Sequence, residues 1–77
     1  MEWISGTPHE IRGAEWLRIS VVPHRCFGMV FPVDGRWELR RWTDSSTAWR
    51  HEPVIIAMDS KAELKRYAET LARLEDA

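Results

Sequence analysis

The sequence contains little of what usually marks a secreted protein or a membrane protein. It has one cysteine, Cys26, which excludes an intramolecular disulfide framework and favours a reducing, cytoplasmic location. No apolar run approaches the roughly 20 residues of a membrane-spanning helix. The segment Met1–Gly6 has neither the basic nor the apolar region of a signal peptide. We therefore expect a cytoplasmic protein with no membrane partner.

A large charge of one sign is also missing. Eleven basic and 12 acidic residues leave a formal net charge of -1. This balance argues against an acidic DNA mimic and against a strongly basic nucleic-acid binder. The length of 77 residues fits one domain, residues 1–77, and the 44% hydrophobic content argues against disorder.

Residues with catalytic or metal-binding chemistry are few and scattered. His24 and Cys26 form the closest pair of potential zinc ligands, and no second pair completes a four-ligand site. His9 and His51 are each followed by a glutamate, but the second histidine of a zinc-protease helix is missing. No third group is placed to orient Cys26 and a histidine as nucleophile and base. We therefore expect a protein that is not an enzyme, with no catalytic residues, no metal site and no cofactor.

The pattern of apolar residues predicts an α+β fold with a three- to four-stranded antiparallel sheet. Asp34 and Gly35 are typical of a type I′ hairpin turn, in which both central residues need a positive φ. The predicted strands are Glu15–Val22, Cys26–Pro32, Arg36–Thr43 and Pro53–Met58, the last of them buried. The turn fixes the opposed pairs as Val33–Arg36, Phe31–Glu38, Val30–Leu39, Met29–Arg40 and Phe27–Trp42.

One C-terminal amphipathic helix is predicted to pack on one face of this sheet. Ser60–Glu63 forms a capping box, with serine at the N-cap and glutamate three residues later. Apolar residues then recur at helical spacing: Leu64, Tyr67, Ala68, Leu71, Ala72 and Leu74. Thr7–Glu10 has the pattern of a second capping box and predicts a short N-terminal helical turn that ends at Gly13.

A single helix covers only one face of the sheet, and both faces are apolar. We assign Val30, Trp37 and Leu39 to the helix side. The opposite side then carries Phe27, Met29, Phe31 and Trp42, interleaved with Glu38 and Arg40, although a solvated face should be polar. Three explanations stay open: a homodimer buries this side, a foreign partner docks on it, or it is covered by the N-terminal segment with Trp3, Ile4, Ile11 and Trp16.

Arginines and tryptophans are interleaved in the second half of the chain. The residues are Arg36, Trp37, Arg40, Arg41, Trp42, Trp49 and Arg50. Such a group can bind single-stranded nucleic acid, with aromatic rings stacked on bases and arginines on phosphates. In the alternative, the tryptophans pack in the fold and the arginines lie across them. The candidate partner-binding residues are Phe27, Met29, Phe31, Arg40, Arg41, Trp42, Trp49 and Arg50.

The chain resembles the small accessory proteins that phages encode, of which anti-CRISPR proteins are one group. The resemblance rests on the very short single domain, the hairpin at Asp34 and Gly35, and the strand-to-helix passage Pro53–Glu69. It implies a non-catalytic inhibitor that occludes a surface of a larger complex, and it assigns no residue roles. The predicted function is a protein-binding module. The alternative is a small protein that binds single-stranded nucleic acid or RNA.

Overall fold

A computed structural model describes residues 1–5, 12–41 and 52–76. It contains a five-stranded antiparallel sheet in the order β1-β2-β3-β4-β5 and one C-terminal helix, which confirms the α+β class. The elements are β1 (Glu2–Ser5), β2 (Glu15–Ser20), β3 (Arg25–Val33), β4 (Arg36–Arg41), β5 (Val54–Met58) and α1 (Lys61–Asp76). Each strand pairs with the next one along the chain, so the sheet is a meander.

The sheet has five strands, whereas three to four were predicted. The additional strand is β1, in which Trp3 lies opposite Leu17 of β2. Two apolar residues in a segment of four give no detectable period, so the strand is defined by its pairing with β2 and not by its own pattern. The predicted N-terminal helical turn, Thr7–Glu10, lies outside the described residues, and the neighbouring residues 12 and 13 form a turn.

The hairpin between β3 and β4 is confirmed in turn and in register. Asp34 and Gly35 have φ values of 50° and 81°, as the type I′ turn requires. The confirmed pairs are Val33–Arg36, Phe31–Glu38, Val30–Leu39 and Met29–Arg40. Trp42, the predicted neighbour of Phe27, lies outside the described residues. The turn residues Asp34 and Gly35 therefore predict the register between β3 and β4 correctly.

Two strand predictions need correction. β2 ends at Ser20, and Val21 and Val22 lie in the turn that leads to β3, where the sequence predicted continued strand. β5 was predicted to be buried, but it is partly exposed. The reason is that, among the described strands, only β4 pairs with it. A strand with a neighbour on one side keeps its other edge accessible.

Helix α1 packs on one face of the sheet with a narrower apolar strip than predicted. The cap is confirmed: Ser60 Oγ accepts a hydrogen bond from the Glu63 backbone N–H at 3.2 Å. Fully buried residues join helix and sheet: Leu64, Ala68 and Ala72 of α1 with Leu17, Val30 and Leu39 of the strands. Tyr67 and Leu74 were predicted in this strip, but they are exposed.

Candidate functional site

The face of the sheet opposite α1 is closed in the monomer. Met29 and Phe31 are only 1% and 2% exposed, and they form a second core cluster with Ala14 and Trp16. Their side chains have almost no surface for a partner in this state. Their predicted role in partner binding therefore requires this face to open.

Part of the predicted N-terminal cover belongs to this second cluster. Ile4 and Trp16 pack there, as one of the three explanations required. Trp3 instead packs against the core beneath α1, because neighbouring residues of the paired strand β1 point to opposite faces. Ile11 lies outside the described residues. The apolar residues on the two faces of the sheet thus belong to two separate core clusters, one beneath α1 and one on the opposite face.

Phe27 lies on the helix side of the sheet, and its predicted position on the opposite face is wrong. Simple alternation places Phe27 with Met29, but the pairing of β3 with β2 passes directly from Gly28 to Cys26. This shift is a β-bulge, in which two residues of one strand oppose one residue of the other and the alternation is reset. Phe27 consequently joins the core cluster beneath α1.

Arg40 is held by groups of its own chain. Its guanidinium donates to Glu38 Oε1 at 3.0 Å and to the carbonyl oxygen of Glu52 at 3.1 Å. The same group lies 5.5 Å from the centroid of the Phe31 ring. Arg40 thus lies across a packed aromatic ring, but this ring is a phenylalanine and not one of the tryptophans named in the structural alternative.

Arg41 is placed in the same way on the other side of the sheet. Its guanidinium lies 4.9 Å from the centroid of the Phe27 ring, and Nη2 donates to both carboxylate oxygens of Glu75 at 2.8 Å. A phosphate group would have to displace this carboxylate to reach the guanidinium. The pairing of Arg40 and Arg41 with carboxylates therefore weakens the case for a nucleic-acid platform. The other three candidates, Trp42, Trp49 and Arg50, lie outside the described residues, and their role stays a prediction.

Two of the residues considered for metal or nucleophile chemistry lie close together. Cys26 Sγ lies 3.7 Å from His24 Nε2 near the start of β3. Within residues 1–5, 12–41 and 52–76, no three histidine, cysteine, aspartate or glutamate side chains are close enough together to bind a metal ion. His9 and His51 lie outside these ranges.

Three exposed apolar side chains lie at one corner of the domain, in and beside the turn between β2 and β3. Val22 is 89% exposed and Val21 is 62% exposed. Met1 is also exposed, and it lies close to Val21 because both residues line the same cleft. We call Met1, Val21 and Val22 the apolar corner. Exposed apolar groups that are grouped in this way are typical of interaction surfaces.

A small open cleft lies beside the apolar corner. Its volume is about 160 Å³, and it is lined by Met1, Glu2, Arg18, Ile19, Ser20 and Val21. The ion pair between Arg18 and Glu2 contributes to its wall. The corner thus offers two protruding valines beside a depression with a polar border. A partner could contact both features at once.

The sequence contains a weak signal for this corner. Val21 and Val22 are adjacent, so they cannot both follow the alternation of a half-buried strand. Pro23 comes directly after them and cannot donate a ladder hydrogen bond, which favours an early end to β2. Their exposure still depends on how β2 pairs with β3.

Comparisons with protein-family models, with curated proteins and with solved structures found no match to this chain. Among the residues that the structure describes, no helix has the length and apolar character needed to cross a membrane. The case for a function therefore depends on the surface of the domain itself.

Proposed function

We propose that the chain is a non-catalytic protein-binding module that docks its apolar corner on a larger protein. The observation that carries this proposal is the exposure of Val21 and Val22 on a turn between two paired strands, beside an open cleft. Neither valine contributes to the two core clusters of the described residues, so both side chains are accessible to a partner.

Burial of these two side chains by a partner would supply useful binding energy. Complete burial of a valine contributes about 1.5–3 kcal/mol. The turn is anchored on both sides by the antiparallel pairing of β2 and β3, so little backbone freedom is lost on docking. A pre-organised apolar tip of this kind suits an apolar depression on the partner.

The mode of action that we propose is occlusion of a functional surface on a larger complex, as in the small phage-encoded inhibitors that the chain resembles. The domain has an accessible surface of 4899 Å². An ordinary interface uses about 800 Å² from each partner. One docked copy would therefore shield a patch of ordinary size without any catalysis.

Affinity capture from native lysate with quantitative mass spectrometry tests this function. We compare the wild-type chain with Val22→Lys, which places a charge at the tip of the corner. Val54→Lys is the matched control, because Val54 is an exposed valine on β5, far along the sheet order from β2. A partner retained by the wild type and by Val54→Lys, but lost with Val22→Lys, supports the proposal.

Two results contradict it. One is a set of captured proteins that is the same for all three chains. The other is loss of a partner with Val54→Lys while Val22→Lys retains it. Circular dichroism of each purified variant shows whether the fold is intact, so unfolding and loss of a contact are told apart.

A further inference from the structure

His24 and Cys26 bring together, at the start of β3, two side chains of the kind that bind zinc. The Nε2 atom of His24 lies 3.7 Å from the Sγ atom of Cys26. Zinc bonds a thiolate sulfur at about 2.3 Å and an imidazole nitrogen at about 2.0–2.1 Å, so two such ligands of a tetrahedral site lie about 3.6 Å apart. The two atoms therefore have nearly the separation that a shared zinc ion requires.

The backbone directs both side chains to one side of the strand. Arg25, the first residue of β3, separates the two ligands, and an extended residue turns its two neighbours the same way. Cys26 is half-buried and packs against the second core cluster, whereas His24 is exposed. One ligand is thus anchored in the fold, and the other can turn toward a metal without disturbing either core.

A structural zinc site needs four ligands, and this place in the chain offers two. Within residues 1–5, 12–41 and 52–76, no third histidine, cysteine, aspartate or glutamate joins His24 and Cys26 in a metal-binding group. The sequence contains one cysteine, so a second thiolate must come from another molecule. No metal site was predicted from the sequence because a single chain lacks a second ligand pair.

A second copy of the same chain supplies the two missing ligands. Two His24–Cys26 pairs related by a two-fold axis form a Cys₂His₂ set, which is a common structural zinc site. The two thiolates balance the charge of Zn²⁺. Arg18 lies opposite Cys26 in the paired strand, and its positive charge is compensated by the ion pair with Glu2.

The position of the pair allows a second copy to approach. Pro23, His24 and Arg25 are exposed, and they directly follow Val22, which is 89% exposed. The ligand pair therefore lies at the end of a protruding turn and not at the bottom of a cleft. Two such turns can meet around one ion.

We propose that His24 and Cys26 form half of an intermolecular zinc site, which joins two copies of this chain as a dimer. Each Cys26 sulfur binds as a thiolate and releases its proton to solvent. Each His24 binds through Nε2 as a neutral imidazole and keeps its proton on Nδ1. The zinc ion is neither oxidised nor reduced.

This inference goes beyond the proposed function, because it needs no partner other than the chain itself. It is tested with purified protein and zinc, whereas the docking of the apolar corner is tested by capture from lysate. Both Val22→Lys and Val54→Lys keep the two ligands. The two proposals can therefore fail independently of each other.

Sedimentation velocity of the purified chain tests the inference, with native mass spectrometry to count the metal. A phosphine keeps Cys26 reduced, so that no disulfide can join two chains. We expect a monomer in excess EDTA and, after addition of zinc, a dimer that holds one zinc ion for every two chains. Renewed addition of EDTA should restore the monomer.

Cobalt(II) in place of zinc identifies the ligands. A tetrahedral cobalt site with thiolate ligands shows sulfur-to-metal charge-transfer absorption in the near ultraviolet and strong d–d bands in the visible region. We expect both signals in the wild type and neither in Cys26→Ser. His24→Gln should weaken metal-induced dimerisation at least tenfold, because each half-site then retains one ligand.

His9→Gln and His51→Gln are the matched controls. Each removes one of the two other histidines of the chain and leaves the pair of His24 and Cys26 unchanged. Both variants should dimerise with zinc as the wild type does. Circular dichroism of every variant shows whether the fold is intact.

Three results would overturn the inference. The first is a wild-type chain that stays monomeric up to millimolar zinc. The second is a monomer that binds one zinc ion and loses it in His9→Gln or His51→Gln, which would place the site within a single chain. The third is equal zinc-induced dimerisation by the wild type and a folded Cys26→Ser variant.

Discussion

Glu15 Oε1 on β2 accepts a hydrogen bond from Lys65 Nζ on α1 at 3.0 Å, although the two residues are 50 positions apart in the chain. Lys61 Nζ lies 2.7 Å from the other carboxylate oxygen. The same two lysines lie over tryptophan rings, Lys61 at 4.7 Å from the Trp37 centroid and Lys65 at 5.1 Å from that of Trp3. One partly buried carboxylate thus holds two successive turns of the helix to the sheet.

Glu15→Gln should destabilise the domain while keeping the shape of the side chain. The change removes the negative charge between two partly buried lysines and replaces two charge-assisted hydrogen bonds with weaker ones. We expect the free energy of unfolding to fall by about 1–2 kcal/mol. Urea denaturation followed by tryptophan fluorescence measures this change.

Asp59→Asn is the control for that experiment. Asp59 and Arg36 form an ion pair at 3.1 Å, but both side chains are largely exposed. An exposed pair of this kind contributes about 0.2–1 kcal/mol. Equal losses of stability in Asp59→Asn and Glu15→Gln would contradict a special role for the Glu15 carboxylate.

The contacts of Glu15 also predict how stability depends on pH. Partial burial alone raises the pKa of Glu15, but the hydrogen bonds and charges of Lys61 and Lys65 together outweigh burial and lower the pKa. Because the pKa is lower in the folded chain than the value of about 4.3 in an unfolded one, this contribution is fully present above that value. It is lost as the pH falls through the folded pKa.

Thermal or urea unfolding at a series of pH values checks this dependence. Between about pH 5 and pH 3 the wild type should lose stability more steeply than Glu15→Gln, because the variant has no carboxylate to protonate at this position. Parallel curves for the two chains would show that other acidic groups account for the acid sensitivity.

Gly28→Ala adds only one methyl group, but it should lower the stability of the domain substantially. A Cβ atom at Gly28 would lie 2.7 Å from the carbonyl oxygen of Arg40 in the neighbouring strand. The β4 backbone can move away only by weakening its pairing with β3 or β5. We expect a loss of about 2 kcal/mol or more in the free energy of unfolding.

A second glycine provides the comparison. Gly35 has a φ of 81°, and nothing lies within 4 Å of a Cβ placed there. Asparagine tolerates this conformation, so Gly35→Asn should change the stability by less than about 1 kcal/mol. If Gly28→Ala proves as mild as Gly35→Asn in urea denaturation, the close approach of the two strands has been overestimated.

We expect the chain to bind single-stranded nucleic acid weakly or not at all. Arg40 and Arg41 already pair with Glu38 and Glu75, and non-specific affinity depends mainly on cations that are free to meet phosphates. Fluorescence anisotropy with labelled single-stranded DNA and RNA at low salt measures this. Binding that weakens steeply with salt, and that is lost in Arg41→Gln, would restore the nucleic-acid alternative.

The elements that could be predicted from the sequence are those that depend on neighbouring residues. Asp34 and Gly35 define a turn because few other residues adopt positive φ, and the turn then sets the register of β3 and β4. Ser60 begins the helix because its side chain satisfies a backbone N–H three residues later. These preferences act over a few positions, so they can be recognised in the sequence alone.

The candidate surfaces required the tertiary structure. Alternation along one strand cannot indicate that a bulge moves Phe27 beneath the helix, because the bulge exists only in the pairing of β2 with β3. Helical periodicity cannot separate Leu64 from Leu74, because both lie within the predicted apolar strip. Leu64 packs against residues of distant strands in the core beneath α1, whereas Leu74 is exposed.

By itself, the sequence determined that this is an α+β chain with a tight hairpin and a capped C-terminal helix, since these depend on backbone preferences and hydrogen bonds within a few residues. Only the tertiary structure decided which apolar residues reach solvent and which arginines pair with a carboxylate of the chain. Burial and ion pairing are relations between distant parts of the chain, and they form only when strands and helix come together.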